Sequence, residues 1–162
     1  MCVGALRGWR DSARAPRPFE RSRFRDTFVP ANYAPIRVRV LLIEDEDLVA
    51  GALQRLLRKR GWEPLWAVDG VAARDALTDG AYFDVVLSDV DMPRLDGLGL
   101  LFWIRENRAD LVPRCIFMTG TPDSTQAAEI ARTHLHPPLT KPLDHAHLFT
   151  LMIAVCAGSE ST

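Results

Sequence analysis

Four short polar stretches hold most of the residues that could do chemistry, and each follows an apolar run. Glu44-Asp45-Glu46-Asp47 follows Val38 to Ile43. Ser88-Asp89-Val90-Asp91 follows Val85-Val86-Leu87. Thr119-Gly120 follows Cys115-Ile116-Phe117-Met118, and Lys141 follows the neighbourhood of Leu139. Carboxylates crowded together repel, and their proton affinities rise unless a cation is present. A hard divalent ion with oxygen ligands relieves that repulsion. Mg²⁺ suits it, because it takes one or two carboxylates, keeps several waters and accepts a phosphate oxygen. Lys141 would add a compact positive charge for a phosphoryl group, and Thr119 a hydroxyl that donates to a phosphoryl oxygen. Asp89 is the expected attacking group, since aspartyl phosphates are an established kind of covalent intermediate. Taken singly, each residue has a plainer role: Asp47 as a helix cap, Glu46 as a first-turn carboxylate, Asp89 as a strand-end turn residue, Lys141 as a solvated cation. Their joint occurrence, in order, at four strand ends favours a phosphoryl site beside a metal ion.

The apolar runs must act as strands if these residues are to meet. Val38 to Ile43 is interrupted only by Arg39, and the runs at 85–87 and 115–118 are apolar throughout. That pattern fits strands buried on both faces, as in a parallel sheet. Leu65 to Val68 and the region of Leu139 are weaker strand candidates. Between them the spacing predicts helices over Asp47–Arg60, Gly70–Thr78, Leu98–Asn107, Asp123–His134 and Asp144–Ala157. In the first, Val49, Leu53, Leu56 and Leu57 share a side, and Arg58-Lys59-Arg60 then Gly61 suit a helix end. Strand and helix alternate five times, which predicts a three-layer α/β domain. Pro64 in the second strand and Pro137-Pro138 in the fifth cannot donate to a central ladder, so both strands belong at edges. The order 2-1-3-4-5 puts those two strands there, and puts the carboxyl ends of strands one, three and four side by side on one rim.

Composition excludes other classes. The 162 residues are 48% apolar and 25% charged, average for one globular domain with tails. No stretch approaches the roughly 20 apolar residues that span a bilayer, so no membrane partner is expected. A net charge of −1 makes the whole chain no electrostatic magnet for nucleic acid. Cys2, Cys115 and Cys156 lack paired spacing and fit reduced thiols in a cytoplasmic protein, with Cys115 a small core residue. The charge is uneven. Residues 1–35 hold seven arginines against Asp11, Glu20 and Asp26, with four prolines and no apolar period, and read as a disordered arm. Interleaved Trp9, Phe19, Phe24 and Phe28 would allow nucleic-acid contact, but a solvated arm is the simpler expectation. Residues 158–162 read as a polar tail. His134/His136 and His145/His147 are spaced by two, which points side chains apart on a helix, and are expected at solvated ends rather than at a metal. Trp62, Trp66, Trp103 and Phe102 read as core or covering residues.

Residues 37 to 157 resemble the receiver domain of two-component response regulators. The likeness is carried by Val40-Leu41-Leu42-Ile43-Glu44-Asp45-Glu46, Asp84 to Gly97 with its Asp89-Val90-Asp91-Met92-Pro93-Arg94-Leu95-Asp96-Gly97 segment, Phe117-Met118-Thr119-Gly120, and Thr140-Lys141-Pro142. The resemblance implies a flavodoxin-like receiver fold, a receiver over residues 36–157, and a cytoplasmic phosphoacceptor rather than an enzyme. Self-phosphorylation and autodephosphorylation could accompany it. Asp89 would take the phosphoryl group from a sensor histidine kinase or a histidine phosphotransfer protein. Mg²⁺ would be held by Asp45 and Asp89, by the backbone carbonyl of Asp91, and by Glu44 directly or through water. Thr119 and Lys141 would contact the phosphoryl oxygens, and the Lys141-Pro142 bond would be cis. Positions Asp91 and Thr121 would tune how fast water removes the group. With little chain after Ala157, a stand-alone regulator without a DNA-binding output domain is expected, acting on a protein target or in a phosphorelay.

The sequence departs from the family at one telling place. An aromatic residue usually stands three positions before the lysine, and here that residue is Pro138, preceded by His136-Pro137. Proline has no rotamer that could swing inward with the threonine. The read-out would then leave through the Thr119 loop and the following helix. The alternatives are a pseudo-receiver, a binding module not switched by phosphate, and a haloacid-dehalogenase-type phosphatase built on Asp89-Val90-Asp91. The second places its acidic pair after the lysine and usually has a cap insertion, neither of which fits this chain.

Overall fold

The computed structural model describes residues 38–158. The arm expected at 1–35, with Cys2, and residues 159–162 of the expected tail lie outside the described residues. Five parallel strands, β1 (Arg39–Ile43), β2 (Glu63–Ala67), β3 (Val85–Asp89), β4 (Cys115–Thr119) and β5 (Leu139–Thr140), form one sheet in the order β2-β1-β3-β4-β5. The helices are α1 (Asp47–Lys59), α2 (Gly70–Thr78), α3 (Gly97–Asn107), α4 (Thr125–Thr133) and α5 (His145–Gly158).

The alternation along each central strand sorts the core into two layers. Leu41, Ile43, Val86 and Phe117 face α2, α3 and α4 through Ala73, Leu77, Leu100, Leu101, Ile104 and Ile130. Val40, Leu42, Val85, Leu87, Ile116 and Met118 face α1 and α5 through Leu53, Leu57, Leu148, Phe149, Met152 and Val155. Both faces of β1, β3 and β4 are covered, so these strands are apolar at nearly every position. Each fully buried aliphatic side chain contributes about 2 kcal/mol of transfer free energy.

Capping sets where the helices begin, and it moves several expected boundaries. Asp69, Asp96 and Ser124 precede α2, α3 and α4, and their side chains accept from the backbone N–H groups of Ala72, Gly99 and Ala127. α4 therefore starts at Thr125, not Asp123. Asp144 accepts from the N–H groups of Ala146 and His147, so α5 starts at His145 and extends to Gly158, taking that residue out of the expected tail. Asp47 is the first helical residue of α1 and not its cap; Glu46 is the cap residue, without a side-chain cap bond. Gly61, at φ 76°, turns the chain after α1.

Pro64 lies in edge strand β2 opposite Val40, as its missing donor demands. Pro137 and Pro138 do not lie in β5. They precede it, and the strand shrinks to the two residues that can pair with Met118 and Thr119. Val68 falls outside β2 and is exposed. A 3₁₀ helix over Ala109–Arg114, too short to show a helical period in the sequence, leads into β4. Cys115 is a buried core residue, as expected; its thiol donates to the Leu111 carbonyl, and burial pushes its pKa up to about 12.

His134 corrects the expectation of a solvated helix end. It is buried behind α4, its Nε2 lies 2.8 Å from the Cys115 carbonyl, and its ring meets Phe117 edge-on. His136 packs edge-on against it, and Arg105 donates to the neighbouring Thr133 carbonyl. Burial pushes the His134 pKa below 6.5, aided by the His136 and Arg105 charges and opposed by the Cys115 bond. A depressed histidine favours the fold while neutral, so its contribution is present above the unfolded value of 6.5 and is lost as pH falls below it. Unfolding free energy measured by denaturant titration should therefore fall between pH 7 and pH 5, with a single-group ceiling of about 1.4 kcal/mol per pH unit. His134→Gln, which keeps a donor for Cys115, should flatten that slope. An unchanged slope would contradict this account of His134.

Candidate phosphoryl-acceptor and metal site

The rim at the carboxyl ends of β1, β3 and β4 collects the expected residues. Glu44 and Asp45 follow β1 directly, Asp89 ends β3 and Thr119 ends β4. Register explains the convergence: Ile43 pairs with Ser88, and Asp89 with Met118. Lys141 follows β5, and its backbone N–H donates to the Thr119 carbonyl at 2.8 Å, which fixes it beside the rim. The Lys141-Pro142 peptide is cis, as the resemblance implied. The start of α3 closes the floor. A Cβ on Gly97 would lie 2.6 Å from the Asp89 carbonyl oxygen and 2.9 Å from Val90 Cα, so only glycine lets the helix approach this closely.

Three carboxylates meet here. Ligand oxygens of Glu44, Asp45 and Asp89 lie within 4.8 Å of one another. Glu44 and Asp89 are buried, whereas solvent reaches Asp45. The Lys141 ammonium donates to both buried acids, at 2.9 Å to Glu44 Oε2 and 2.8 Å to Asp89 Oδ2. The other Asp89 oxygen accepts from the Val90 N–H at 2.7 Å. Desolvation raises the Glu44 pKa, reinforced by the Asp89 charge and opposed by Lys141. Desolvation alone would lower the Lys141 pKa, but its bonds to Asp89 and Glu44, and their charges, outweigh burial and raise it. The all-oxygen, acid-rich donor set fits a hard divalent cation such as Mg²⁺.

The expected residues do not all point the same way. The Asp91 side chain is turned from the three-carboxylate cluster toward the β4 end, where its Oδ2 accepts from Thr119 Oγ1 at 3.1 Å and from Thr121 Oγ1 at 2.6 Å. The metal role that the resemblance implies for Asp91 concerns only its backbone carbonyl. Two contacts had no distinctive sequence signal. Trp66 donates its indole N–H to the Glu44 carbonyl at 2.9 Å, tying β2 to the acidic turn. Arg94, at φ 68°, forms an ion pair with buried Asp69 and links the loops after β2 and β3. Phe102, expected as a core or covering residue, is 45% exposed, and His145 and His147 are exposed too.

Comparison with known proteins matches this arrangement. The family profile described as "Response regulator receiver domain" matches residues 40–153. The chain belongs to the response regulator receiver family. Among curated relatives, the Regulator of RpoS of Escherichia coli is 30% identical over 118 residues, covering 73% of this chain and 34% of the relative. The sensor kinase CckA of Brucella abortus is 35% identical over 112 residues, covering 68% of this chain and 12% of the relative. The transcriptional regulatory protein QseB of Haemophilus influenzae is 42% identical over 74 residues, covering 46% of this chain and 33% of the relative. The matched region thus spans about a third or less of these relatives' lengths. A response regulator receiver protein from Pseudomonas putida superposes with a TM-score of 0.66 at 28% identity, covering 73% of this chain and 97% of that one. The signal receiver domain of a histidine kinase from Syntrophus aciditrophicus gives 0.68 at 25% identity, covering 77% and 94%. Receivers are signalling modules of two-component systems, and the dehalogenase-type alternative is set aside.

Lys141 is the counter-charge of the buried acids, which yields a prediction. Lys141→Met should lower the unfolding free energy in metal-free buffer by on the order of 2 kcal/mol, since the cost of orphaning a buried charge is moderated by the partial exposure of Lys141. Its contribution is present at neutral pH and is lost only as pH rises through its raised pKa, above 10.5. Adding Mg²⁺ should restore part of the loss. A Lys141→Met protein as stable as the wild type in chelator would contradict the pairing.

Proposed function

We propose that this receiver is a phosphoacceptor switch in which Asp89 takes a phosphoryl group from a phosphohistidine, carried by a sensor histidine kinase or a histidine phosphotransfer protein. The observation that supports this most is the position of Asp89. It is buried, joined to Lys141 through one oxygen and to the Val90 N–H through the other, with Glu44 and Asp45 beside it.

In the proposed reaction an Asp89 carboxylate oxygen attacks phosphorus, a P–O bond forms and the P–N bond breaks. The leaving imidazole keeps the bonding electron pair. Little covalent chemistry is asked of the protein beyond positioning and neutralising charge. Glu44, Asp45, Asp89 and the Asp91 carbonyl would hold Mg²⁺, which supplies positive charge to the phosphoryl oxygens. The chain's own residues do the rest. The Val90 N–H orients the Asp89 carboxylate, and Lys141 exchanges one of its carboxylate partners for a phosphoryl oxygen. Thr119 donates its hydroxyl proton to another.

The product alters the rim and the Thr119 loop, and we place the read-out on α4, β5 and α5, where Leu135 and Ile153 are exposed. Partners are proteins: the phosphohistidine donor and a downstream target or the next carrier of a phosphorelay. No helix among the described residues is long and apolar enough to cross a membrane, in keeping with a cytoplasmic site of action. Pro138, where an aromatic residue is usual, favours one competing reading, a pseudo-receiver recognised without phosphate.

Incubation with acetyl phosphate and Mg²⁺ separates the two. Intact-mass measurement should show the gain of one phosphoryl group, abolished by chelation of the metal and by Asp89→Asn. Label that persists in Asp89→Asn, or wild-type protein that never gains mass, would defeat the assignment.

A further inference from the structure

The hydroxyl of Thr119 is already committed. Thr119 is 1% exposed, and its Oγ1 accepts from the Thr121 N–H at 2.9 Å while donating to Asp91 Oδ2 at 3.1 Å. The same carboxylate oxygen accepts from Thr121 Oγ1 at 2.6 Å. Parallel pairing of Asp89 with Met118 brings the residue two beyond β3 opposite the residues that end β4 and begin its loop. Asp91 therefore gathers two hydroxyl protons from the segment that would have to move toward a phosphoryl group.

A hydroxyl has one proton. Thr119 can give it to Asp91 or to an oxygen of a phosphorylated Asp89, but not to both. Hydrogen bonds to a carboxylate are stronger than those between neutral groups, so release of Thr119 has a cost that a residue without an acceptor at position 91 would not impose. The buried position of Thr119 keeps water from replacing either bond cheaply.

We infer that Asp91 is a positioning residue that latches Thr119 in the resting state, so that the phosphoryl group must compete with the Asp91 carboxylate for the Thr119 proton. This inference rests on Asp89 being the phosphoacceptor. It concerns the equilibrium between resting and switched states, and acts through a side chain whose backbone alone is assigned to the metal. Thr121 is the second anchor: its hydroxyl holds Asp91 in place, and its N–H holds Thr119. The latch biases the free receiver toward rest and sets how strong a phosphoryl-like ligand must be to switch it.

Because Asp91 is also a negative charge near an anion site, its removal would help any anion bind. The test separates that effect from the hydrogen bond. The probe is beryllofluoride, a phosphoryl mimic, titrated in the presence of Mg²⁺ into the full chain and followed by the amide resonances of Gly120 and Thr121. Asp91→Ala should bind at least about tenfold more tightly than wild type, the lower end of what one hydrogen bond to a charged group contributes. In a Thr119→Ala background the same substitution should gain less than about twofold, since the partner of the latch is gone. Asp91→Asn, which keeps an acceptor oxygen and loses the charge, should stay closer to wild type than to Asp91→Ala. In the free protein, Asp91→Ala should already move the Thr121 amide resonance toward its bound position.

Equal gains in both Thr119 backgrounds, or Asp91→Asn matching Asp91→Ala, would overturn the latch and leave simple charge repulsion. No gain at all would overturn it as well. Failure of the wild type to bind the mimic, with Asp89→Asn indistinguishable from it, would remove the phosphoacceptor reading and the latch together. That pattern is distinct from failure of the latch alone. Asp91 is exposed, so its variants should fold, which circular dichroism would check before titration.

Discussion

Two buried carboxylates share one ammonium group, and the rest of the rim is organised around that triangle. Glu44 and Asp89 are both buried, and burying carboxylates is costly unless a cation pairs with them. Lys141 reaches both from the far side of the sheet, at 2.9 and 2.8 Å. For it to do so, β5 must pair with the end of β4, and Gly97 must let α3 press against the carbonyl of Asp89. The short β5 is sufficient because its task is to deliver a single amine. Asp45 stands beside the triangle, reached by solvent, and completes a donor set suited to a divalent ion.

This arrangement separates two jobs that the acids could otherwise confuse. The cluster of Glu44, Asp45 and Asp89 forms an acidic donor set suited to a divalent ion. Asp91, two residues further on, faces the threonines of the neighbouring strand end. A tight turn after β3 lets consecutive acids serve different neighbours. On the proposed reading, the hydrogen bonds of Lys141 on one side and Asp91 on the other would both be rearranged by the same incoming group. A switch built from discrete competing bonds has two states rather than a continuum.

Much of this was legible in the sequence because its periods are strong. β1, β3 and β4 are buried on both faces and so read as nearly unbroken apolar runs, and Pro64 marked the edge strand β2. The strand order fits those features together with the doubly wound pattern of α/β sheets, and it gathers Glu44, Asp45, Asp89, Thr119 and Lys141 on one rim. What stayed hidden was set by tertiary contact. His134 looked like a solvated helix end because nothing local shows that the Cys115 carbonyl and the Phe117 ring will cover it. Asp47 looked like the cap of α1, but the acidic turn places the helix start one residue earlier. The Trp66 bond to the Glu44 carbonyl joins residues 22 apart, and the Asp91 bonds to Thr119 and Thr121 span the gap between two strands. Such pairs become visible only once register is known. The start of β5 was misread for a simpler reason: two prolines cannot pair, so the strand begins after them.

On the proposed reading, a divalent ion and a phosphoryl group share one pocket, each supporting the other through Asp89. Reciprocal linkage makes that measurable. Mg²⁺ binding, titrated calorimetrically with and without saturating beryllofluoride, should be at least about tenfold tighter when the mimic is present, a coupling of about 1.4 kcal/mol. Identical Mg²⁺ affinities under the two conditions would contradict the account.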